Sequence, residues 1–316
     1  MPQKTKRLTR VLYLVFGLCF GVCCWFIWYF TTPVVVPQIL NVPKGSIKSI
    51  ITYLNGIKDI PPNQFGKLDA FAMQFVGTPQ SGFVDLDMEN PTRLEFLKKL
   101  STAKAATKEI TLIPGETLYF FLQDVAKTFG LDSQKLQESF DIYFHLSEGV
   151  IVPETYKLPL GLSEDQFMKL LSQMSYKWHE NTATQLMGVY DRDKWFYYVS
   201  IASIVQKEAA NIDEMPIIAA VVFNRLKLGM PLQMDGSLNY GEYSHQKVTP
   251  ERIRNDTNVC NTYKYKGIPP YPCTSASLQA IKAVLNPANV EYLYFVRNKN
   301  GTHTFSKTYQ DHKSNF

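Results

Sequence analysis

The clearest feature of the hydrophobic pattern is a 20-residue run without a charge, Val11 to Phe30 (VLYLVFGLCFGVCCWFIWYF). It is long enough to cross a hydrocarbon core as one helix. Beyond it the apolar positions become short and periodic. A Pro-punctuated tether (TTPVVVPQIL) leads to Val42-Pro43-Lys44-Gly45-Ser46, which reads as a strand–turn–helix opening. Ile113-Pro114-Gly115-Glu116-Thr117 is a second opening of the same kind, 71 residues later. That offset also maps Ile47 to Leu118, Ile50 to Phe121, Ile51 to Leu122 and Leu54 to Val125. These positions keep the i, i+3, i+4, i+7 spacing of an amphipathic helix. Ser46 and Thr117 stand where N-caps belong. The pattern predicts two copies of a small strand-plus-helix unit.

Residues 133–141 and 163–179 read as further helices, each opened by a Ser-x-x-polar cap. Between them Glu148 to Tyr156 (EGVIVPETY) is an extended or loop segment with a proline turn. From Asp193 onward come two long helices, then a Gly/Pro/Asn-rich stretch over 229–275. A helix over 275–286, a strand from Glu291 to Arg297 and a turn-plus-strand from Lys299 to Ser306 complete the pattern. The fold class is α+β.

Charge refines this picture. The net charge is +5, but Lys4, Lys6, Arg7 and Arg10 supply four basic residues, with no acidic one, before residue 44. The rest of the chain holds 29 basic against 28 acidic residues and is nearly neutral. The excess is a flank rather than a nucleic-acid-binding face, so no nucleic-acid partner is expected. Basic residues before the apolar run, with Trp25, Trp28 and Tyr29 at its far end, predict a cytoplasmic N-terminus and a chain outside the membrane after about Thr31. A cleaved signal peptide is disfavoured. The run exceeds a typical h-region, and no small-x-small site comes after it. Cys19, Cys23 and Cys24 lie in the apolar run as small apolar residues. The residues before them are not small, which also disfavours a lipoprotein. Cys260 and Cys273, thirteen apart, either form a loop-closing disulfide in an oxidising compartment or remain unlinked. No CxxC pair and no HExxH occurs, so neither a metal nor another cofactor is called for.

The segment Trp195 to Gln206 (WFYYVSIASIVQ) has no charge over twelve residues and ends in Lys207-Glu208. Stepping back three, four and seven from Glu208 gives Val205, Ile204 and Ile201, so its side chain emerges on the apolar stripe. Lys207 shares its face with Ser203 and Ser200. Desolvation would raise the pKa of a carboxyl so placed, and a carboxylic acid protonated near neutral pH is a proton donor for a glycosidic oxygen. The pattern alone equally allows a solvated helix-end Glu or one member of an ion pair.

SIVQKEA (Ser203 to Ala209) followed by VVFNRLKLGMPLQMD (Val221 to Asp235) resembles the signature of the endolytic murein transglycosylases, the YceG-like family. The resemblance continues in order through Tyr240-Gly241, Asn261-Thr262-Tyr263, Gly267-Ile268-Pro269-Pro270, Tyr292 to Val296, Gly301 to Phe305 and His312. Upstream, VPKGS, IPGET and PETY are similar to the family's paired, wall-binding, LysM-like portion. The family's catalytic acid falls on Glu208. A second Glu two residues earlier is common there, and this chain has Gln206. Gly236-Ser237 replace an expected Pro-Thr, Cys260 an aromatic, and Tyr271-Pro272-Cys273 depart in the loop after Pro270.

The resemblance implies a lyase acting on a polysaccharide without water. Glu208 would protonate the oxygen joining N-acetylmuramic acid to the next N-acetylglucosamine. It would then accept the proton of the muramic C6 hydroxyl as that oxygen closes a 1,6-anhydro ring. One carboxylate suffices because the nucleophile belongs to the substrate, whereas ordinary hydrolysis needs two. Asp235, Glu242 and Glu214 are the nearby acidic residues that such a hydrolase could recruit as a second. Gln233, Asp235, Tyr240, Asn261, Tyr263 and His303 are candidates for lining the glycan cleft. Four of them have a structural alternative: Asp235 as a turn cap, Tyr240 and Tyr263 as core, His303 as a satisfied structural histidine. Arg225 and Asn224 read instead as closing their helix before Gly229.

The expected organisation is a cytoplasmic basic flank (1–10), a transmembrane helix (11–30), a tether (31–39), a LysM-like wall-binding region with two strand–helix units (40–145) and a mixed α+β catalytic domain (146–316). Expected partners are peptidoglycan glycan strands, the cytoplasmic membrane of a bacterium, and proteins of wall synthesis or division. The reaction would cut nascent strands and so suit an end to their extension. A water-using muramidase and a non-catalytic wall-binding scaffold are the competing readings.

Overall fold

A computed structural model describes residues 2–315. The side chains of residues 1–8, among them the predicted flank residues Lys4, Lys6 and Arg7, lie outside the described residues. The chain divides into two compact units, Met1–Lys108 with Leu158–Gly161, and Glu109–Lys157 with Leu162–Phe316.

The first unit opens with α1 (Pro2–Thr31). Its Thr9–Thr31 portion is long and apolar enough to cross a membrane, and none of it is buried. Next come β1 (Ile39–Val42), α2 (Ile47–Leu54), α3 (Lys67–Val76), β2 (Gly82–Asp85) and α4 (Arg93–Thr102). β1 and β2 pair antiparallel, Ile39 opposite Asp85 and Val42 opposite Gly82. Ser46 caps α2 by accepting the Ser49 N–H. The periodic Ile50, Ile51 and Leu54 enter a core with Leu40, Val84, Phe96 and Leu100. No element was predicted between residues 55 and 112, yet α3, β2 and α4 lie there. Their hydrophobic signals are short, and α4 declares itself mainly by the Thr92/Glu95 capping box.

The second unit holds the larger parts of β3 (Thr107–Thr111) and β4 (Thr155–Pro159), which pair as a two-stranded sheet. Its helices are α5 (Leu118–Phe129), α6 (Ser133–Tyr143), α7 (Glu164–Met187), α8 (Arg192–Glu208), α9 (Met215–Lys227), α10 (Pro250–Asn255), α11 (Leu278–Leu285) and α12 (Tyr309–Lys313). The hairpin β5 (Tyr294–Arg297)–β6 (His303–Ser306) stands between α11 and α12. As predicted, Leu118, Phe121, Leu122 and Val125 of α5 are buried. The expected cap is different. The Thr117 hydroxyl donates to Gly241 O at 2.9 Å, and the buried Glu148 carboxylate accepts the Leu118 N–H at 3.0 Å. Glu148 thereby satisfies the first free N–H of the helix, and Thr117 is released for a contact distant in sequence. Burial pushes Glu148 up to about 8, although the Leu118 and Gly149 N–H bonds oppose this.

α8 is the centre of this unit. Trp195, Phe196 and every residue from Val199 to Val205 are buried, with α9 and α11 packed against it. Trp195 donates its indole N–H to His179 Nδ1 at 3.0 Å. Because the indole can only donate, His179 must carry its own proton on Nε2, which meets Val150 O at 2.8 Å. Burial lowers the His179 pKa to about 4, so the ring is neutral. Cys260 and Cys273 are joined in a disulfide with Cα atoms 6.0 Å apart. The Cys273 N–H donates to Ser203 Oγ at 3.1 Å, which seats the bridge on α8. Ser203 and Ser200, on the face shared with Lys207, are therefore buried against protein.

Candidate functional site

The end of α8 opens onto a cleft of about 530 Å³. Glu208 is the last helical residue, followed by Ala209 in extended backbone. One carboxyl oxygen accepts the Gly236 N–H at 2.6 Å. This approach requires glycine. A Cβ at 236 would stand 2.6 Å from Lys207 Cβ and 2.9 Å from the Glu208 carboxyl. Glu208 keeps partial contact with solvent where it lines the cleft. Desolvation raises its pKa to about 7, the Gly236 N–H opposes this, Asp235 adds to it and Arg225 lowers it. At neutral pH the carboxyl is about half protonated.

Lys207 points elsewhere. Its ammonium donates to Gly115 O and Ser244 Oγ, both at 3.3 Å. Gln206, where the resemblance led one to expect a second Glu, accepts the Ser277 N–H at 3.2 Å and supports the start of α11. Its position is structural rather than in the cleft.

Four of the other predicted site residues meet Glu208 in the cleft: Gln233, Asp235, Tyr263 and His303. Gln233 has φ 49°, a left-handed conformation unusual for a residue with a side chain. The strand-like crosslinks of Thr262 hold it, with Gln233 N–H to Thr262 O at 3.2 Å and Met234 N–H to Thr262 Oγ1 at 3.0 Å. Asp235 accepts the Tyr263 hydroxyl at 2.6 Å. Burial, and then that bond, raise the Tyr263 pKa. His303 presents Nδ1 to Glu214 at 2.7 Å and its N–H to the same carboxylate at 2.8 Å. Burial raises the Glu214 pKa, but the bonds from His303 and Ala210 outweigh it and leave the pKa below its usual value. Glu214 thus orients His303 from behind.

Tyr240 and Asn261 are not brought to the cleft. The Tyr240 hydroxyl donates to Asp256 at 2.8 Å, in a separate depression with Tyr243 and Arg252. Asn261 is fully buried. Its amide donates to Ile253 O and Asp256 O at 2.9 Å, and its carbonyl accepts the Tyr263 N–H at 3.1 Å. It shapes the loop that presents Tyr263. Both residues read as site candidates because polar-tipped groups in a Gly/Asn-rich stretch look alike in sequence, whether they face a ligand or their own loop. Glu242 is also absent from the cleft lining, and Asp235 is the carboxylate there besides Glu208.

Arg225, read from sequence as a helix-closing residue, does lie in the last turn of α9 and also lines the cleft. Its Nε donates to Leu293 O at 2.7 Å, another guanidinium nitrogen reaches Leu232 O, and the group lies 5.4 Å from the Tyr294 ring centre. Asn224 ties the same helix to Val290 O and Tyr292 O at 2.9 and 3.0 Å. Tyr294, Arg297 and Tyr309 complete the wall and were also unanticipated. The apolar run from Tyr292 to Val296 marked a strand, but not which face it would turn to the cleft. A larger cavity of about 760 Å³ lies by the first half of α8, lined by His145, Arg192, Phe196 and Pro270. Its one carboxylate, Asp193, is 91% exposed as a side chain and so lacks the environment of a proton donor.

A sequence profile of the YceG-like family matches residues 40–316. The chain belongs to the YceG-like family. It is 26% identical over 302 residues to a protein of Bacillus subtilis (strain 168) named endolytic murein transglycosylase, covering 86% of this chain and 82% of that one. A protein of the same name from Streptococcus pneumoniae serotype 2 is 29% identical over 175 residues, 53% of this chain and 31% of its own length. The crystal structure of a yceG-like protein from Listeria monocytogenes shares the fold, with a TM-score of 0.55 at 23% identity, over 87% of this chain and 98% of that one.

Proposed function

We propose that the chain is an endolytic lytic transglycosylase of peptidoglycan and that Glu208 is its single catalytic acid/base. The observation that carries this reading is a carboxyl held at about 7 by burial, at the floor of a cleft walled by tyrosines and hydrogen-bonding groups. Family membership and the name shared by its relatives support it. Protonated Glu208 gives its proton to the oxygen between N-acetylmuramic acid and N-acetylglucosamine as the C1–O bond breaks. The resulting carboxylate takes the proton of the muramic C6 hydroxyl as that oxygen bonds to C1, which regenerates the acid. The Gly236 N–H holds the carboxyl in place through both steps. Gln233, Tyr263, His303 and Arg225 contact the sugars, while Asp235 sets the tilt of Tyr263.

The presence of Asp235 in the cleft is the specific observation favouring a second reading, a muramidase in which Asp235 activates water. Incubating the protein with uncrosslinked glycan and identifying product ends by mass spectrometry separates the two. Anhydro ends support the lytic route, and reducing ends the hydrolytic one. Undiminished cleavage by Glu208→Gln would show that neither assignment of the acid is right.

The same reading places α1 across the cytoplasmic membrane of a bacterium, N-terminus inside, because its basic flank precedes the apolar run. The chain after about Thr31 then lies on the wall side. Residues 40–145, with their repeated strand–helix openings, serve as a LysM-like wall-binding region, and residues 146–316 as the catalytic domain. Cutting nascent strands there would end their extension and bring the protein beside wall-synthesis or division proteins.

A further inference from the structure

α3 carries two apolar faces. Met73 enters the core of the first unit. Leu68, Phe71, Ala72 and Phe75, at i, i+3, i+4 and i+7, form a second stripe. Phe71 and Phe75 on it are 58% and 76% exposed. Their rings meet edge to face at 5.1 Å, making one projecting ridge.

The ridge runs beside the last turns of α1. Phe26 and Phe30 of α1 share a groove of about 350 Å³ with Leu68, Phe71, Ala72 and Phe75, and every residue lining it is apolar. The placement is fixed by a buried polar cluster. The Tyr29 hydroxyl donates to Asp69 at 2.7 Å, Arg93 pairs with the fully buried Asp69 at 3.1 Å, and the guanidinium covers the Tyr29 ring at 4.3 Å. The Arg93 N–H also donates to Thr32 O at 2.8 Å. Removing either charged member would strand the other in the interior, so α3 cannot swing away from α1 without a large loss.

The geometry points to α3 as a second membrane contact, with Leu68, Phe71 and Phe75 seated in the interfacial layer of the bilayer that α1 crosses. This rests on the reading of α1 as a spanning helix. Trp25, Trp28 and Tyr29 mark where that helix leaves the hydrocarbon, and the ridge lies level with Phe26 and Phe30 in the same zone. The exposed face of α3 is continuous with the lipid-facing surface of α1, where Phe26 is 39% exposed. One solvent therefore covers both. Lys67, exposed at the first turn of α3, is long enough to reach anionic headgroups while its stem follows the apolar surface. The contact makes the first unit lie on the bilayer instead of turning freely above it.

The test uses the full chain with Cys19, Cys23 and Cys24 replaced by Ser, reconstituted in nanodiscs of phosphatidylethanolamine and phosphatidylglycerol. Single variants Phe71→Cys and Phe75→Cys carry a nitroxide label, with Leu18→Cys as the bilayer reference and Lys58→Cys as a surface reference. Both phenylalanines are exposed, so these changes leave the core intact. Power saturation compares collisions with oxygen, which concentrates in lipid, and with a water-soluble nickel chelate. The expected oxygen-to-nickel ratio at 71 and 75 is several-fold above that at 58 and below that at 18, as an interfacial depth requires. A water-like ratio at 71 and 75, with 18 in lipid, overturns the contact and leaves the span standing. A water-like ratio at 18 overturns the spanning reading, and this inference with it. Shielding of 71 and 75 from both agents means that protein, a partner or a second copy, covers the ridge, and this also overturns it.

Discussion

Replacing Glu208 by Gln is expected to abolish cleavage and, at alkaline pH, to stabilise the fold. The carboxyl lies at about 7 in place of its ordinary 4.5 because burial penalises its charge. A pKa raised on folding leaves stability intact below about pH 4.5, and that stability is lost as pH rises through about 7. At pH 8 the ionised side chain costs the native state about 3 kcal/mol, and at pH 5 less than about 1 kcal/mol. Gln is uncharged at both values and can still accept the Gly236 N–H. Whatever its amide costs in the cleft is the same at pH 5 and pH 8. The pH-dependent difference between variant and parent is therefore about 2 kcal/mol. For a unit of this size that is roughly 4–8 °C more gain in Tm at pH 8 than at pH 5. Calorimetry of the full-length proteins in detergent micelles at the two pH values measures it. Equal Tm differences at pH 5 and pH 8 would refute the claim that a buried, reluctant carboxyl sits at the end of α8.

The same geometry sets three further outcomes. The rate of glycan cleavage should track the protonated fraction of Glu208, falling about tenfold per pH unit above about 7, and a flat initial-rate profile from about pH 6 to 9 would contradict an acid of that pKa. Gly236→Ala places a methyl group 2.9 Å from the Glu208 carboxyl. It should cost about 1–3 kcal/mol by overpacking and reduce turnover at least about tenfold as the acid is displaced, measured by thermal melts and product assay in parallel. Glu214→Gln weakens the hold on His303. Because the folded pKa of Glu214 is depressed, its contribution exists above the ordinary carboxyl range and is lost on acidification. The variant should melt lower than the parent at pH 7, with the gap closing toward pH 3.

Much of this protein was legible in the order of its residues. The uncharged run that becomes α1, the paired openings before α2 and α5, and the buried helix ending in Glu208 are local patterns, carried by spacing and charge within a single element. The family signature in Ser203 to Ala209 and Val221 to Asp235 was legible for the same reason, since its residues are near neighbours along the chain. Gly229, with φ 65°, ends α9 as its position predicts.

Tertiary structure decided the rest. Nothing local to Thr117 shows that its hydroxyl serves Gly241 while Glu148 caps α5, because those contacts span 124 and 30 residues. The pairing of Cys260 with Cys273, left open by the sequence, was decided by a tertiary arrangement in which the Cys273 N–H is bonded to Ser203 of α8. Arg225 became a cleft residue only when β5 came alongside α9, and Tyr240 and Asn261 turned inward to Asp256 and the loop backbone. An element's periodicity states which of its faces is apolar. It does not state what each face will meet, and the desolvation that raises the Glu208 pKa is a property of that meeting.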